Sequence, residues 1–421
     1  MLVEFSVANF KSIREQQTLR LTPVKAYKEH PNNVFTTGGQ PNELLRTVAI
    51  YGANAAGKSS LLEALNYMKL FVLSNSKMNE GDETNTTPFK LDDCSYLEPS
   101  TFEVVFINEG TRYQYGFAVN QVQVINEWLY VTPKNTIQTW FEREGEEKEK
   151  WIIHRSLAPK SDRDAWKRFT RNNSLLLSVA VQNNAELLKP VFNWFKETIV
   201  GLSSGSYFSF TANQIQQNSS IKEKVIHYLN AADLSIIDLD VEEKKVNKDV
   251  LEKFEKESGD IPEHIREALK KRLGSKFTVG MKHIENQREA LDIKEESDGT
   301  QKLFGLAAPL IDILEKGRVV YADELNNSLH PFIVKMIIDL FNNPKTNPNK
   351  AQLIFTTHDI SVLKNDIFRR DQLWFVEKDN QLATQLYPLT DFCPRANESL
   401  AKGYLEGKYG AVPFIGELDW L

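Results

Sequence analysis

Gly52-Ala53-Asn54-Ala55-Ala56-Gly57-Lys58-Ser59 follows directly on the apolar run Thr47-Val48-Ala49-Ile50-Tyr51. After it, from Ser60 to Leu73, Leu61, Leu62, Leu65, Met68 and Leu70 recur at helical spacing. Strand, glycine loop, helix is the order in which a chain builds a phosphate cradle. Gly52 and Gly57 let backbone N–H groups turn inward, and the helix that Ser60 enters directs its positive end to the same point. Lys58 would supply a cation to the β and γ phosphates, and Ser59 a hydroxyl to Mg²⁺.

Three further segments fit around this loop. Val319-Val320-Tyr321-Ala322 is an apolar strand that ends in Asp323-Glu324. Asp323 is expected to hold Mg²⁺ next to Ser59, and Glu324 to polarise an attacking water. A second strand, Ala351 to Thr356, runs into Thr357-His358-Asp359. Neighbouring parallel strands present their C-terminal ends to one crevice, which brings His358 within reach of a γ-phosphate or of the water. His330, in Leu329-His330-Pro331, is read equally as a shaper of the turn after Glu324. One helix ahead of the acids stands Ser297-Asp298-Gly299-Thr300-Gln301. Ser297, Gly299 and the helix start behind them form a second anion-binding surface, although Ser-Asp-Gly is also an ordinary turn. This surface is expected to meet the nucleotide of a partner subunit, so a homo-oligomer, at least a dimer, is expected.

The rest of the chain sets bounds. The 421 residues are 41% hydrophobic and 26% charged, the balance of an ordinary globular protein with room for two or three lobes. A formal net charge of -6 gives no global pull toward nucleic acid or an anionic membrane. Direct DNA binding is therefore not indicated by charge. Cys94 and Cys393 are the only cysteines, so neither a disulfide framework nor a zinc site is expected and a reducing cytoplasm fits. No secretion signal and no apolar run of membrane-spanning length is visible.

Leu2 to Phe10 alternates like a half-buried strand. Phe102 to Phe106 and Arg112 to Val119 read as strands joined at Asn108-Glu109-Gly110, and Glu142 to Lys150 as a hairpin tip or loop. Asp162 to Leu202 reads as mainly helical, followed by a helix near 220–232 and a strand from Ile236 to Val241. Lys244 to Arg272 reads as a short charged helical hairpin with a solvated face. Phe277 to Ile293 has strand character. From Val319 the pattern is strand, helix, strand, helix, strand, the alternation of a parallel sheet, and Phe392 to Leu421 reads as a cap on it. The expected fold is α/β: a parallel sheet core, an antiparallel β subdomain and a helical insert. Its expected division is 1–160 (phosphate loop and β subdomain), 161–290 (insert) and 291–421 (signature, strand-end acids, histidine and cap).

These segments together resemble the RloA-type bacterial AAA ATPases, relatives of the RecF, SMC and ABC-type heads. The resemblance rests on Asn9-Phe10-Lys11-Ser12-Ile13, the phosphate loop, Thr87-Pro88-Phe89-Lys90-Leu91, Glu296 to Thr300, Asp323 to Pro331, Phe355 to Asp359 and Gly403 to Gly410. It implies an ABC-type P-loop head that binds ATP and Mg²⁺, with Lys11 and Ser12 as nucleotide contacts. It departs in two places: the signature is Ser-Asp-Gly-Thr, and Lys90 stands near where a Q-loop would place glutamine. ATP is preferred to GTP, because Asn247-Lys248-Asp249-Val250 is out of register for a guanine-reading motif. The resemblance further implies an ATPase subunit in anti-phage defence, working with a separately encoded nuclease or toxin. The competing reading is a RecF-like repair ATPase acting on DNA itself. No nuclease activity is expected of this polypeptide.

Overall fold

The computed structural model describes residues 1–134, 136–202, 207–245, 275–285, 287, 289–364, 366–395 and 398–413. The helical hairpin expected from Lys244 to Arg272 lies outside them, apart from Lys244 and Lys245 at the end of a strand, as do residues 414–421 of the tail. Residue contacts divide the chain in two. One unit comprises Met1–Leu202, Leu314–Asn327 and Val334–Leu421, the other Ser203–Ile313 and Ser328–Ile333. The sequence-based boundaries at 160/161 and 290/291 do not coincide with this division. The strand Ile199–Leu202 pairs in parallel with Val319–Ala322 and keeps residues up to 202 in the first unit, while residues 291–313 stay with the second.

The first unit is built on two large sheets. In the six-stranded one the order is Ile199–Leu202, Val319–Ala322, Gln352–Thr357, Thr47–Tyr51, Leu373–Lys378, Thr384–Pro388. The first five strands are parallel and the last turns back antiparallel. The phosphate-loop strand is thus central, and Thr357 lies opposite Tyr51 in register. All five residues Thr47 to Tyr51 are buried, as expected of a strand covered on both faces. The other sheet is antiparallel, ordered Ile152–Ile153, Gln138–Glu144, Val124–Thr132, Thr111–Val119, Ser100–Asn108, Leu2–Ala8, Gln17–Arg20. The strand Leu2–Ala8 is more buried than its alternation suggests: Leu2, Val3, Phe5, Ser6 and Val7 are all inside.

The helix Lys58–Ser74 joins the two sheets in one core with Val48, Ile50, Phe102 and Phe117. Tyr67 stacks on Phe71, and these rings meet Phe102 and Phe117 of the antiparallel sheet at 5.0 and 5.4 Å. Leu70, counted on the apolar face from sequence, is exposed. Between Thr357 and Leu373 the expected helix is replaced by two single 3-10 turns, Ile360–Val362 and Arg370–Gln372. The described part of the tail packs on the parallel sheet as expected: Tyr404 and Tyr409 both stack on Phe375.

The second unit contains the helices Phe208–Gln217 and Ser219–Ala231, a three-stranded antiparallel sheet (Asp238–Lys245, Ser275–Lys282, Leu291–Asp292) and the helix Asp298–Lys316 as far as Ile313. Leu303, Phe304, Leu306, Ala307 and Leu310 are buried as the periodicity predicts. Pro309 lies inside this helix and has no N–H for the carbonyl of Gly305. The hydroxyl of Thr211 donates to that oxygen instead, at 3.0 Å.

Back in the first unit, Tyr27 and Glu29 are pinned to Arg370, just ahead of the strand Leu373–Lys378. Arg370 donates to both carboxylate oxygens of Glu29 (2.8 and 3.2 Å) and lies 3.9 Å from the ring centre of Tyr27. Partial burial opposes ionisation of Glu29, but the hydrogen bonds from Arg370 and from backbone N–H groups outweigh it and hold the carboxyl at about 2. That is below the unfolded carboxylate range, so the pair stabilises the fold above that range and stops doing so as pH falls through it. Thermal unfolding of Glu29→Gln is expected to lie below wild type at neutral pH. The gap should close progressively between about pH 5 and about pH 2; a gap that stays constant would sever the pair from this role.

Candidate functional site

The parallel strands end at one edge, and the chemistry collects there. Gly57 caps the helix Lys58–Ser74 with φ 110° and no side-chain hydrogen bond. The first N–H groups of the helix are therefore left for an anion. A Cβ on Gly52 would fall 2.3 Å from the carbonyl oxygen of Val376, and one on Gly57 would fall 2.0 Å from the Thr384 hydroxyl. Only glycine fits at either position. Between them, Ala56 N–H closes a turn on Ala53 O, and Ala55 has φ 63° with Asn54 exposed beside it.

Lys58 is buried and its ammonium donates to the carbonyls of Gly52 and Ala53 at 2.7 and 2.9 Å. Burial lowers its pKa from the ordinary lysine range, while the carboxylates of Glu324 and Asp323 act in the opposite sense. Ser59 donates to Asp323 Oδ2 at 2.7 Å. A hydroxyl and a carboxylate in contact are two hard oxygen donors, and they fit Mg²⁺.

Thr356 is the residue that sequence reasoning quoted but did not use. It is fully buried on the strand next to Val319–Ala322. Its hydroxyl donates to Asp323 Oδ1 and accepts the backbone N–H of Glu324 at 2.8 Å. It thereby fixes the carboxylate of one acid and the backbone of the other, which takes φ 47°. Asn326 was likewise unassigned. Thr357 donates to its Oδ1 at 2.8 Å, which turns its Nδ2 toward His358 Nε2 at 3.3 Å. His358 and Glu324 are both exposed at this edge.

The N-terminal segment also reaches the loop. Ser12 donates to Ser60 Oγ at 2.8 Å, while Lys11, with φ 51°, pairs with Glu63 of the same helix at 2.7 Å. Lys90 is exposed beside Phe89, whose N–H is held by Asn9 Oδ1. Ser297 and Gly299 belong to the second unit. There the Ser297 hydroxyl accepts the N–H of Thr300 at 3.2 Å, as a helix cap does. A Cβ on Gly299 would lie 3.1 Å from the carbonyl of Ser328. His330 is exposed, its ring 5.1 Å from that of Phe332.

A glycine loop leading into a helix with an open first turn, with a strand-end aspartate on its serine, defines a P-loop nucleotide-binding domain. A family model described as "AAA domain, putative AbiEii toxin, Type IV TA system" matches residues 48–364, well over half of the chain, and the protein belongs to that family. Among solved structures, the chain is similar to two of the recombination mediator protein RecF in the RecFOR pathway. The RecF-ATPrS structure is 14% identical, with 92% of this chain and 98% of that chain covered at a TM-score of 0.36. The RecF-ATP structure is 16% identical, with 92% and 99% covered at the same TM-score. That score marks a loose superposition on which no functional statement rests. No curated protein matches the chain significantly.

Thr356→Val keeps the shape of the side chain and removes its hydroxyl. Asp323 Oδ1 and the Glu324 N–H then lose their shared partner, a cost of about 1–2 kcal/mol in urea unfolding. Thr356→Ser should recover most of it, and equal stability of the Val variant and wild type would exclude the bridging role.

Proposed function

We propose that the protein binds ATP with Mg²⁺ and hydrolyses it. In this reading it is the ATPase subunit of a bacterial anti-phage defence system, of the RloA type, that controls a separately encoded nuclease or toxin effector. The observation that carries the first part is the contact of Ser59 with Asp323 beside the buried Lys58. The family description, which couples an AAA domain with a toxin and a type IV toxin–antitoxin system, supports the second. No helix among the described residues is long and apolar enough to cross a membrane, and the proposed setting is the cytoplasm.

Each residue has a part in this scheme. The loop N–H groups and Lys58 bind the β and γ phosphates. Ser59 and Asp323 would hold Mg²⁺, which neutralises phosphate charge when bound. Glu324 takes the proton of the attacking water, and His358, oriented by Asn326, positions that water or the γ-phosphate. Ser297 and Gly299 act on the nucleotide of a second copy, so that hydrolysis follows association of two heads.

Lys58→Ala should lose ATP binding in calorimetry, because the loop has no other cation for the β and γ phosphates. Unchanged affinity would remove the phosphate-loop assignment. Glu324→Gln should still bind ATP while turnover stalls and associated heads accumulate by light scattering. Wild-type turnover in that variant would take the proton-accepting role away from Glu324.

A mixing experiment addresses the composite site. Ser297→Arg and Lys58→Ala proteins, each inactive alone, should recover part of the ATPase activity together. One site of each mixed dimer then combines an intact loop with an intact signature. If a tagged pull-down detects mixed dimers that stay inactive, Ser297 is a helix cap and nothing more.

A further inference from the structure

The phosphate loop is gripped from behind by a residue far away in sequence. Thr384 opens the antiparallel edge strand Thr384–Pro388 and is 1% exposed. Its hydroxyl donates to Ala56 O at 3.0 Å, its backbone N–H donates to Ser12 O at 2.8 Å, and its Oγ1 lies 2.8 Å from Ser12 Oγ. Lys378 Nζ approaches the same oxygen at 3.4 Å. Ser12 has one hydroxyl proton, which serves Ser60 or Thr384 but not both. Ala56 O is a carbonyl oxygen and only accepts, so its bond with Thr384 uses the single hydroxyl proton of Thr384.

The consequence follows from peptide geometry. The bond between Ala56 and Gly57 is not among the cis peptides of the chain, so its C=O and N–H point in opposite directions. Holding Ala56 O toward Thr384 turns Gly57 N–H away from the edge hairpin, the direction a phosphate-cradling amide needs. The space a Gly57 side chain would need is filled by Thr384 Oγ1, Thr384 Cγ2 and Ser12 Oγ, at 2.0, 2.7 and 2.9 Å. Were this peptide to flip, a carbonyl oxygen would face the phosphate. We infer that Thr384, through its hydrogen bond to Ala56 O, is a positioning residue that sets the Gly57 amide for the β-phosphate of the nucleotide.

This rests on the phosphate-loop reading above, and the test separates the two. Dissociation constants for ATP and ADP are measured for Thr384→Val, Thr384→Ser and Lys58→Ala, with the melting temperature of each protein without nucleotide. The Val variant should bind both nucleotides about tenfold more weakly, by the same factor, since both carry the β-phosphate; one hydrogen bond to a charged-group site is of that size. The Ser variant should return to within about twofold of wild type. Should the Val variant fail to fold, Thr384→Ala takes its place with the same expectation. A lowered melting temperature with unchanged dissociation constants would make Thr384 a structural residue only and overturn the inference. Weakening confined to ATP would overturn it as well, because the γ-phosphate would then be the group affected. If Lys58→Ala also binds normally, the phosphate-loop reading itself has failed.

Discussion

A helix start can bind an anion only if it stays open, yet the helix behind it must be held still. The helix Lys58–Ser74 meets both demands by burying its flanks while leaving its first turn uncapped. Leu61, Leu62, Ala64, Leu65, Met68 and Val72 are almost wholly inside, at roughly 1.5–3 kcal/mol for each large side chain. The antiparallel sheet exists, in this sense, to cover that helix: Phe102 and Phe117 close on Tyr67 and Phe71. Lys69, farther along, donates to Ile199 O at 2.7 Å and ties the helix to the outermost parallel strand. A buried Gln352 completes the frame, accepting from Leu2 N and donating to the carbonyls of Leu2 and Leu45.

The acids depend on the same frame by way of strand order. Gln352–Thr357 lies between the phosphate-loop strand and Val319–Ala322, so a residue at its end can touch what leaves both neighbours. Thr356 does this for Asp323 and Glu324, and Thr357 does it for Asn326. Two hydroxyls from consecutive residues serve opposite faces of one strand, as the alternation of side chains requires. The carboxylates of Glu324 and Asp323 favour the charged form of Lys58 and offset part of what its burial costs.

Most of this edge was legible because its signals are local. Gly52, Gly57, Lys58 and Ser59 announce themselves by spacing, and apolar runs ending in Asp323-Glu324 or His358 announce strand ends. What was missed depends on distant pairing. Ile199–Leu202 follows directly on a π-helical turn, Trp194–Thr198, with no turn signal between them, so it read as helix. Its strand character comes from Val319–Ala322, and Gly201 fits there because the ring of Tyr321 covers it. Thr384 is a single threonine in a hairpin, and only its closeness to Gly57 gives it meaning. The segment after His358 looked helical from its apolar content. Instead Asp359 caps a single turn through Ser361 N–H, and Val362, Leu363, Ile367 and Phe368 are buried from irregular backbone.

The proline of the helix Asp298–Lys316 carries a mechanical consequence. The carbonyl of Gly305 has no i+4 donor within the helix, because Pro309 lacks an N–H. One rung of the ladder is missing there, and the Thr211 hydroxyl of a neighbouring helix supplies the replacement donor. The longest helix among the described residues thus has its weakest rung between its signature end and its C-terminal turn. Its hydrogen bonding at Gly305 is completed by a side chain outside it, the Thr211 hydroxyl of the helix Phe208–Gln217.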